Sequence, residues 1–323
     1  MGNNCCVYEQ NSSSQNSGQV GMPHSIPPMH PKVHSLIDSV YKGSATQVSI
    51  IDLSNREIGE KSAKYLSVVL PYYSHVTRLC LKSCNLTFSS VDSLCQSLHN
   101  LSQIEALELD YNHIEPYGGF VLGETLETVC GLKVLSVEAC NLGIGVEGVL
   151  NGVVNCRKLV ELNLSKNEIG VKGAVMLGRV LKHLEELKVL GVAQNEIRDE
   201  GAQAIAEGLS PTQLRKIVLT NNYISDEGAV CLVKKLNLSL EELFLETNLI
   251  TDEGGKNIAL ELQKFKKLSI LCLDSNDLGK KTAEALMSVL PNLKLNLLGL
   301  SECSLSNYKK ALSLASVNSD ILF

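Results

Sequence analysis

The first six residues, Met1-Gly2-Asn3-Asn4-Cys5-Cys6, hold the sharpest chemical signal in the chain. A glycine after the initiator methionine opens an N-myristoylation motif, although Cys6 stands where that motif ordinarily has Ser or Thr. Cys5 and Cys6 lie where doubly acylated proteins carry palmitoylated thiols. One myristoyl chain holds a protein at a bilayer only marginally, so a stable anchor needs a second signal. With no Lys or Arg before Lys32, that signal is not a polybasic patch and falls to the cysteines. Gly2, Cys5 and Cys6 are therefore the expected lipidation sites, and any membrane attachment is expected to run through them.

The other chemical motifs are explained more simply. Gly143-Ile144-Gly145-Val146-Glu147-Gly148 matches the dinucleotide fingerprint G-x-G-x-x-G after a strand-like Val134–Val137. It occupies the same register as Gly170 to Gly173 further on, however, and reads as a recurring turn rather than a phosphate cradle. Cys80 and Cys84 form a lone C-x-x-x-C with no second ligand pair, so no zinc site is expected. His24, His30 and His34 lie among prolines, and no zincin, nucleophile-elbow or P-loop motif occurs. The chain is expected to be no enzyme, with no metal and no cofactor.

Composition narrows the class further. The 323 residues are 44% hydrophobic and 20% charged, which suits a globular chain with a real core. A net charge of −6, no Trp and only 4% aromatics supply neither a basic field nor stacking platforms, so nucleic acid is not an expected partner. There is no run of 18 apolar residues and no apolar stretch in residues 1–20, so a cytoplasmic location is expected, with the inner face of a membrane open to an acylated form. The 11 cysteines, odd in number and without C-x-x-C, read as reduced thiols.

What must position any site is a repeat. ELNLSKNEIG (161–170), VLGVAQNEIR (189–198), KIVLTNNYIS (216–225), ELFLETNLIT (242–251) and ILCLDSNDLG (270–279) share the frame L-x-x-L-x-L-x-x-N-x-I/L. Counted from its first apolar residue, the frame starts at Val48, Val76, Ile104, Leu132, Leu159, Leu187, Leu214, Leu240, Leu268 and Leu295, at spacings of 26 to 28. Ten registered copies over residues 48–310 resemble the leucine-rich repeat family. The repeat length and the helical second half resemble its ribonuclease-inhibitor-type subfamily, whose fold Ran GTPase-activating proteins and NLR-type receptors share. The resemblance implies an α/β solenoid, a horseshoe with parallel strands on the concave face and helices on the convex face.

Each letter of the frame has a physical reason. Leu162 and Leu164 alternate on one face of a short strand, as do Leu190 and Val192, and point into the core. The ninth position follows the strand where the backbone turns inward, and a buried amide there can satisfy orphaned main-chain groups. Asn112, Asn167, Asn195, Asn222, Asn248 and Asn276 are expected to form that ladder, with Cys84, Cys140 and Cys303 in the same slot. Acidic helix starts such as Asp199-Glu200, Asp226-Glu227 and Asp252-Glu253 suit free N–H groups at a positive helix end. The small residue that follows, Gly201, Gly228 or Gly254, is expected to let helix and strand backbones approach.

The ends divide accordingly. Residues 1–31, rich in Asn, Ser, Gln, Gly and Pro, are expected to be a disordered tail. Residues 32–47 carry an amphipathic cap helix, 48–310 the ten repeats and 311–323 a closing segment.

The frame also fixes which strand residues face out. The fifth and seventh positions together hold Asp52, Glu108, Asp110, Glu138, Glu246 and Asp274 against a single base, Lys82. With strands ~4.8 Å apart, Glu108, Asp110, Glu138 and the neighbouring Tyr111 form one patch, and Glu246, Asp274 and Phe244 a second. Aromatic rings among carboxylates suit a basic protein surface. The expected function is a protein-binding scaffold or adaptor using this face. The alternatives are a GTPase-activating regulator of a Ran-type small GTPase, from the N-x-I/L-x-D-E-G-A phrasing at Asn195–Ala202 and Asn222–Ala229, and an inhibitor occluding a basic enzyme.

Overall fold

A computed structural model describes residues 30–316 and 320–323. Gly2, Cys5, Cys6 and nearly all of the N-terminal tail lie outside the described residues. Each repeat contributes one three-residue strand: β1 (Ile50–Asp52), β2 (Arg78–Cys80), β3 (Ala106–Glu108), β4 (Val134–Ser136), β5 (Glu161–Asn163), β6 (Val189–Gly191), β7 (Lys216–Val218), β8 (Glu242–Phe244), β9 (Ile270–Cys272) and β10 (Leu297–Gly299). The closing segment adds β11 (Asp320–Leu322), paired with β10 from Leu297 opposite Asp320 to Gly299 opposite Leu322. All eleven run parallel in one open sheet in chain order. The fourth and sixth frame positions are buried throughout, from Ile51 and Leu53 to Leu298 and Leu300.

The helices cover the opposite face: α1 (Pro31–Tyr41), α2 (Gly59–Val69), α3 (Phe88–Leu98), α4 (Glu115–Leu126), α5 (Val146–Val153), α6 (Gly170–Leu181), α7 (Arg198–Gly208), α8 (Asp226–Lys235), α9 (Asp252–Glu261), α10 (Lys280–Val289) and α11 (Lys309–Ala315). A helix is about 10 Å wide and a strand needs about 4.8 Å, so stacking the two at one repeat curves the sheet to the inside of a horseshoe. At the N-terminal end α1 buries Val33 and Ile37. The fully buried Tyr73 fastens it, its hydroxyl donating to the Leu36 carbonyl at 2.7 Å and meeting Ser39 Oγ at 2.5 Å. Among the described residues no helix is long and apolar enough to cross a membrane.

After each strand the eighth frame residue enters the left-handed region. Asn55, Ser83, Tyr111, Ala139, Lys166, Gln194, Asn221, Thr247, Ser275 and Glu302 have φ between 52° and 59°. No glycine marks the position, so the turns other than those at Asn55 and Asn221, whose side chain tolerates this region, cost roughly 1–2 kcal/mol each of backbone strain. Two sets of bonds offset it. The eighth N–H continues the sheet, as in Tyr111 N–H to the Glu138 carbonyl at 2.7 Å. The ninth residue then supplies the ladder. Asn167 Nδ2 donates to the Val137 and Leu164 carbonyls at 2.7 and 3.0 Å, while its Oδ1 accepts from Cys140 N–H at 3.0 Å and Leu142 N–H at 3.3 Å. Asn112, Asn195, Asn222, Asn248 and Asn276 repeat the pattern between adjacent turns. Cys84, Cys140 and Cys303 point their thiols at the Leu53, Leu109 and Leu273 carbonyls, at 3.0, 3.2 and 3.6 Å.

The helix starts depart from expectation in two ways. The aspartates do accept backbone N–H groups, but of the next repeat rather than of their own helix. Asp226 takes the Thr251 N–H at 2.7 Å and its hydroxyl at 2.6 Å, and Asp252 takes the N–H groups of Gly279, Lys281 and Thr282 at 2.8–3.0 Å. Burial alone would raise the Asp252 carboxyl, but these donors hold it below the ordinary value. The small residue therefore does not bring helix and strand together. A Cβ at Gly228 would strike Asp199 of the preceding helix and one at Gly254 would strike Asp226, so the glycines make room for the inter-repeat cap.

Candidate functional site

The exposed face of the sheet carries the charges, and the structure separates its two patches by how they are paired. In the first, Glu108 on β3 and Asp110 just after it are buried, 4% and 3% exposed. Glu108 is ion-paired with Arg78 on β2 and with Lys82, and Lys82 Nζ also lies 3.0 Å from Asp110. Burial would lower the Lys82 ammonium, but its hydrogen bonds to both carboxylates raise it well above the ordinary lysine range. Asp110 Oδ1 additionally accepts from Ser136 Oγ at 2.5 Å and Glu138 N–H at 2.8 Å.

Glu138 continues the network. Its Oε1 accepts from Lys166 at 2.7 Å and from the Tyr111 hydroxyl at 2.5 Å, and its Oε2 from Asn163 at 3.0 Å. These donors outweigh burial and lower its carboxyl. Lys166 also lies over the Tyr111 ring, 5.1 Å from the centroid. Acids and bases interlock here, so the patch presents little net charge outward. Asp52 stands apart at the end of β1, exposed, accepting Ser54 N–H at 2.9 Å.

The expectation of six acids against one base leaves out charges of both signs. Strand residues two apart share a face, so the third frame position projects beside the fifth and brings in Arg78 and Lys216 together with Glu161 and Glu242. Lys166, at the eighth position, reaches the same surface from the left-handed turn. The alternation that identified the fifth and seventh positions identifies the third as well. The eighth carries no such signal.

The second patch is different. Glu246, after β8, and Asp274, after β9, form no ion pair among the described residues. Glu246 Oε2 accepts from the Thr220 hydroxyl at 2.7 Å, and Asp274 Oδ1 from Ser301 N–H at 2.7 Å. Cys272 lies between them, 6% exposed, and the three side chains bring their ligand atoms within 4.8 Å of one another. That is a spacing compatible with a metal ion; in the metal-free site, burial and the two carboxylates push the Cys272 thiol up to about 12, so it keeps its proton at neutral pH. Burial likewise raises the Glu246 carboxyl, with the Thr220 bond opposing and the Asp274 charge adding. Beside them, Lys216 spans Glu242 at 2.8 Å and the Phe244 ring at 4.9 Å from its centroid, leaving the carboxylates to themselves. Between the patches the face dips into a hollow of about 340 Å³ over Gly191, Ala193, Val218 and Thr220.

The comparisons agree with this architecture. The Leucine Rich repeat family model matches residues 155–178, 182–206 and 211–233. The pig (Sus scrofa) ribonuclease inhibitor is 29% identical over 267 residues, 80% of this chain and 59% of that protein. The chain is a leucine-rich repeat protein of the ribonuclease-inhibitor-like type. This repeat chain spans about three-fifths of the length of the ribonuclease inhibitors it matches. Human NACHT, LRR and PYD domains-containing protein 3 is 30% identical over 264 residues, 77% of this chain but 25% of its own length. The functional domain of InlJ from Listeria monocytogenes shares the fold, with a TM-score of 0.52 at 16% identity over 86% of this chain and 54% of that one.

Proposed function

We propose that this repeat protein is a scaffold that binds another protein on the concave face of its sheet, and that the partner sets a basic side chain against Glu246 and Asp274 beside Phe244. The observation that carries the reading is the contrast between the patches. Glu108, Asp110 and Glu138 have cations of their own, whereas Glu246 and Asp274 lie together without one. Two half-buried carboxylates in that state repel each other and lose hydration, and an incoming Lys or Arg relieves both costs. Phe244 adds an aromatic surface of the kind that anchors protein interfaces. The test is affinity capture with the wild type beside Glu246→Gln/Asp274→Asn, with partners identified by mass spectrometry. Loss of one basic partner from the variant supports the reading, and identical profiles contradict it.

A second form of the same reading follows from the relatives. Two are named ribonuclease inhibitors, so a ribonuclease is a direct probe of whether this chain occludes a basic enzyme. Inhibition that weakens as salt rises, and weakens again in the double variant, supports that form. A protein scaffold whose tail is acylated at Gly2, Cys5 and Cys6 would work at the inner face of a membrane.

A further inference from the structure

The second carboxylate patch on the concave face also holds a thiol, and its three side chains converge. Cys272 ends β9 and Asp274 follows two residues on, so the strand alternation sets both on the exposed face of one repeat. Glu246 reaches them from the repeat before. Main-chain bonds on either side of it, Leu245 N–H to the Cys272 carbonyl and Thr247 N–H to the Asp274 carbonyl, both 2.9 Å, hold the two repeats in register. Among the described residues this is the one group of three Cys, His, Asp or Glu side chains whose ligand atoms all lie within 4.8 Å of one another. Spacing along the chain does not announce it, because 26 residues separate Glu246 from Cys272. The expectation of no metal site rested on the lone pair Cys80 and Cys84, and stacking of neighbouring repeats assembles a different set.

Each member of the group is held by a donor from outside it, as metal-binding side chains are oriented by their outer shell. The Thr220 hydroxyl, on the β7 side, donates to Glu246 Oε2 at 2.7 Å, and Ser301 N–H, on the β10 side, to Asp274 Oδ1 at 2.7 Å. Cys272 is more than nine-tenths buried, and its thiol is turned into the group, where it bonds Glu246. Burial and the two carboxylates oppose the Cys272 thiolate, while a hydrogen bond from Gly299 N–H favours it. Gly299 also makes room for Asp274, since a Cβ at that position would strike Asp274 Oδ2. In the first patch Arg78, Lys82 and Lys166 neutralise the carboxylates. In this one, among the described residues, no cationic side chain takes that place.

We infer that Glu246, Cys272 and Asp274 bind a zinc-class divalent cation. A thiolate with two carboxylate oxygens suits Zn²⁺, which takes sulfur and oxygen ligands in a tetrahedral shell, and not Mg²⁺ or Ca²⁺, which take larger shells of oxygen alone. Three protein ligands leave the fourth position to water, which enters from the open concave face. Zinc lies ~2.3 Å from sulfur and ~2.0 Å from oxygen, which sets ligand atoms roughly 3.5 Å apart, so the group closes by about 1 Å on binding. The long Glu246 side chain has the freedom to supply that movement. Binding sends the thiol proton to solvent, with Cys–SH and Zn²⁺ giving Cys–S–Zn⁺ and H⁺, and the two carboxylates neutralise the cation that forms. The assignment goes beyond the partner reading and does not rest on it. The two meet in one consequence: bound zinc and a partner's basic side chain claim the same carboxylates and exclude each other.

The test is titration of the full reduced chain with Co²⁺, whose bond to a thiolate gives a near-ultraviolet charge-transfer band, followed by displacement with Zn²⁺. Wild type should show a saturable band that zinc removes and excess Mg²⁺ leaves in place. Cys272→Ser, nearly the same size, should lose the band, and Glu246→Gln/Asp274→Asn should weaken zinc binding by about tenfold or more. Both variants are checked for an unaltered melt without metal. Cys5→Ser/Cys6→Ser should keep the band, which separates this site from the tail thiols. No saturable band, a band of wild-type strength in Cys272→Ser, its loss with Cys5 and Cys6, or its removal by Mg²⁺ would each overturn the inference. A chain that binds zinc but captures no basic partner overturns the partner reading alone, and one that captures the partner but shows no cobalt band overturns the zinc site alone.

Discussion

The Cys140 thiol donates to the Leu109 carbonyl at 3.2 Å, the bond that the Asn167 amide makes to Val137 one repeat later. A thiol can give that hydrogen but, unlike an amide, offers only a weak acceptor for the N–H groups of the preceding turn. Cysteine at the ninth position thus keeps half of the ladder. Replacing Asn222 tests this directly. Asn222→Ala leaves the Val192 carbonyl and the Asn195 N–H without their partner and should cost about 2–4 kcal/mol in denaturant melts. Asn222→Cys should cost clearly less, and equal losses would contradict the account.

The same burial makes these thiols slow. Burial pushes Cys84 up to about 11 and both Cys95 and Cys140 up to about 12, so the reactive thiolate is scarce at neutral pH. Iodoacetamide at pH 7.5 followed by peptide mapping should label the exposed Cys130 well before Cys84, Cys95 or Cys140. Early labelling of Cys140 would show that the ladder opens.

In the first patch, Lys82 holds two buried carboxylates. Lys82→Met should destabilise the chain by about 3 kcal/mol, because it leaves Asp110 without a cation and Glu108 with Arg78 alone. Adding Glu108→Gln and Asp110→Asn should recover much of the loss in the same melts. If Lys82→Met is neutral, the cluster is not structural, and Glu108 and Asp110 return as contact residues.

The second patch should show the opposite sign. The folded Glu246 carboxyl is raised above its unfolded value, so the folded state holds that proton more tightly. Its ionisation lowers stability as pH rises from the unfolded value, roughly 4.3, through the higher folded one. Glu246→Gln should therefore melt higher than wild type at pH 7.5, with the advantage shrinking as pH falls to 4. A variant that melts lower at pH 7.5 would contradict the uncompensated charge.

For the tail, wild type should partition into membranes on cell fractionation and Gly2→Ala should remain soluble. Equal membrane association of the two would remove the acylation proposal.

The repeat was legible because it is written many times over: Leu162, Leu190, Leu243 and Leu271 recur in register, and a periodic signal survives local exceptions such as Cys84. The left-handed eighth residue was not. Residues such as Ala139, Lys166 and Gln194 carry no mark of positive φ, because neighbouring turns enforce it rather than the residue itself. The aspartates at the helix starts signal caps, but the sequence does not show whose, since Asp226 serves Thr251 across a repeat boundary that no local motif displays. The charge balance failed for a similar reason. Lys166 reaches Glu138 from a turn that no periodicity marks, whereas Arg78, beside Glu108, sits at a third frame position that the alternation does mark.

In the proposed scaffold, Glu246 and Asp274 are the partner-binding carboxylates and the first patch is structural. Quantitative affinity capture with three baits, wild type, Glu246→Lys/Asp274→Lys and Lys166→Ala, tests it most directly. One basic partner, eluted by salt from the wild type, should be lost from the Glu246/Asp274 variant and retained by Lys166→Ala. Retention by the first variant, or loss confined to the second, would contradict it.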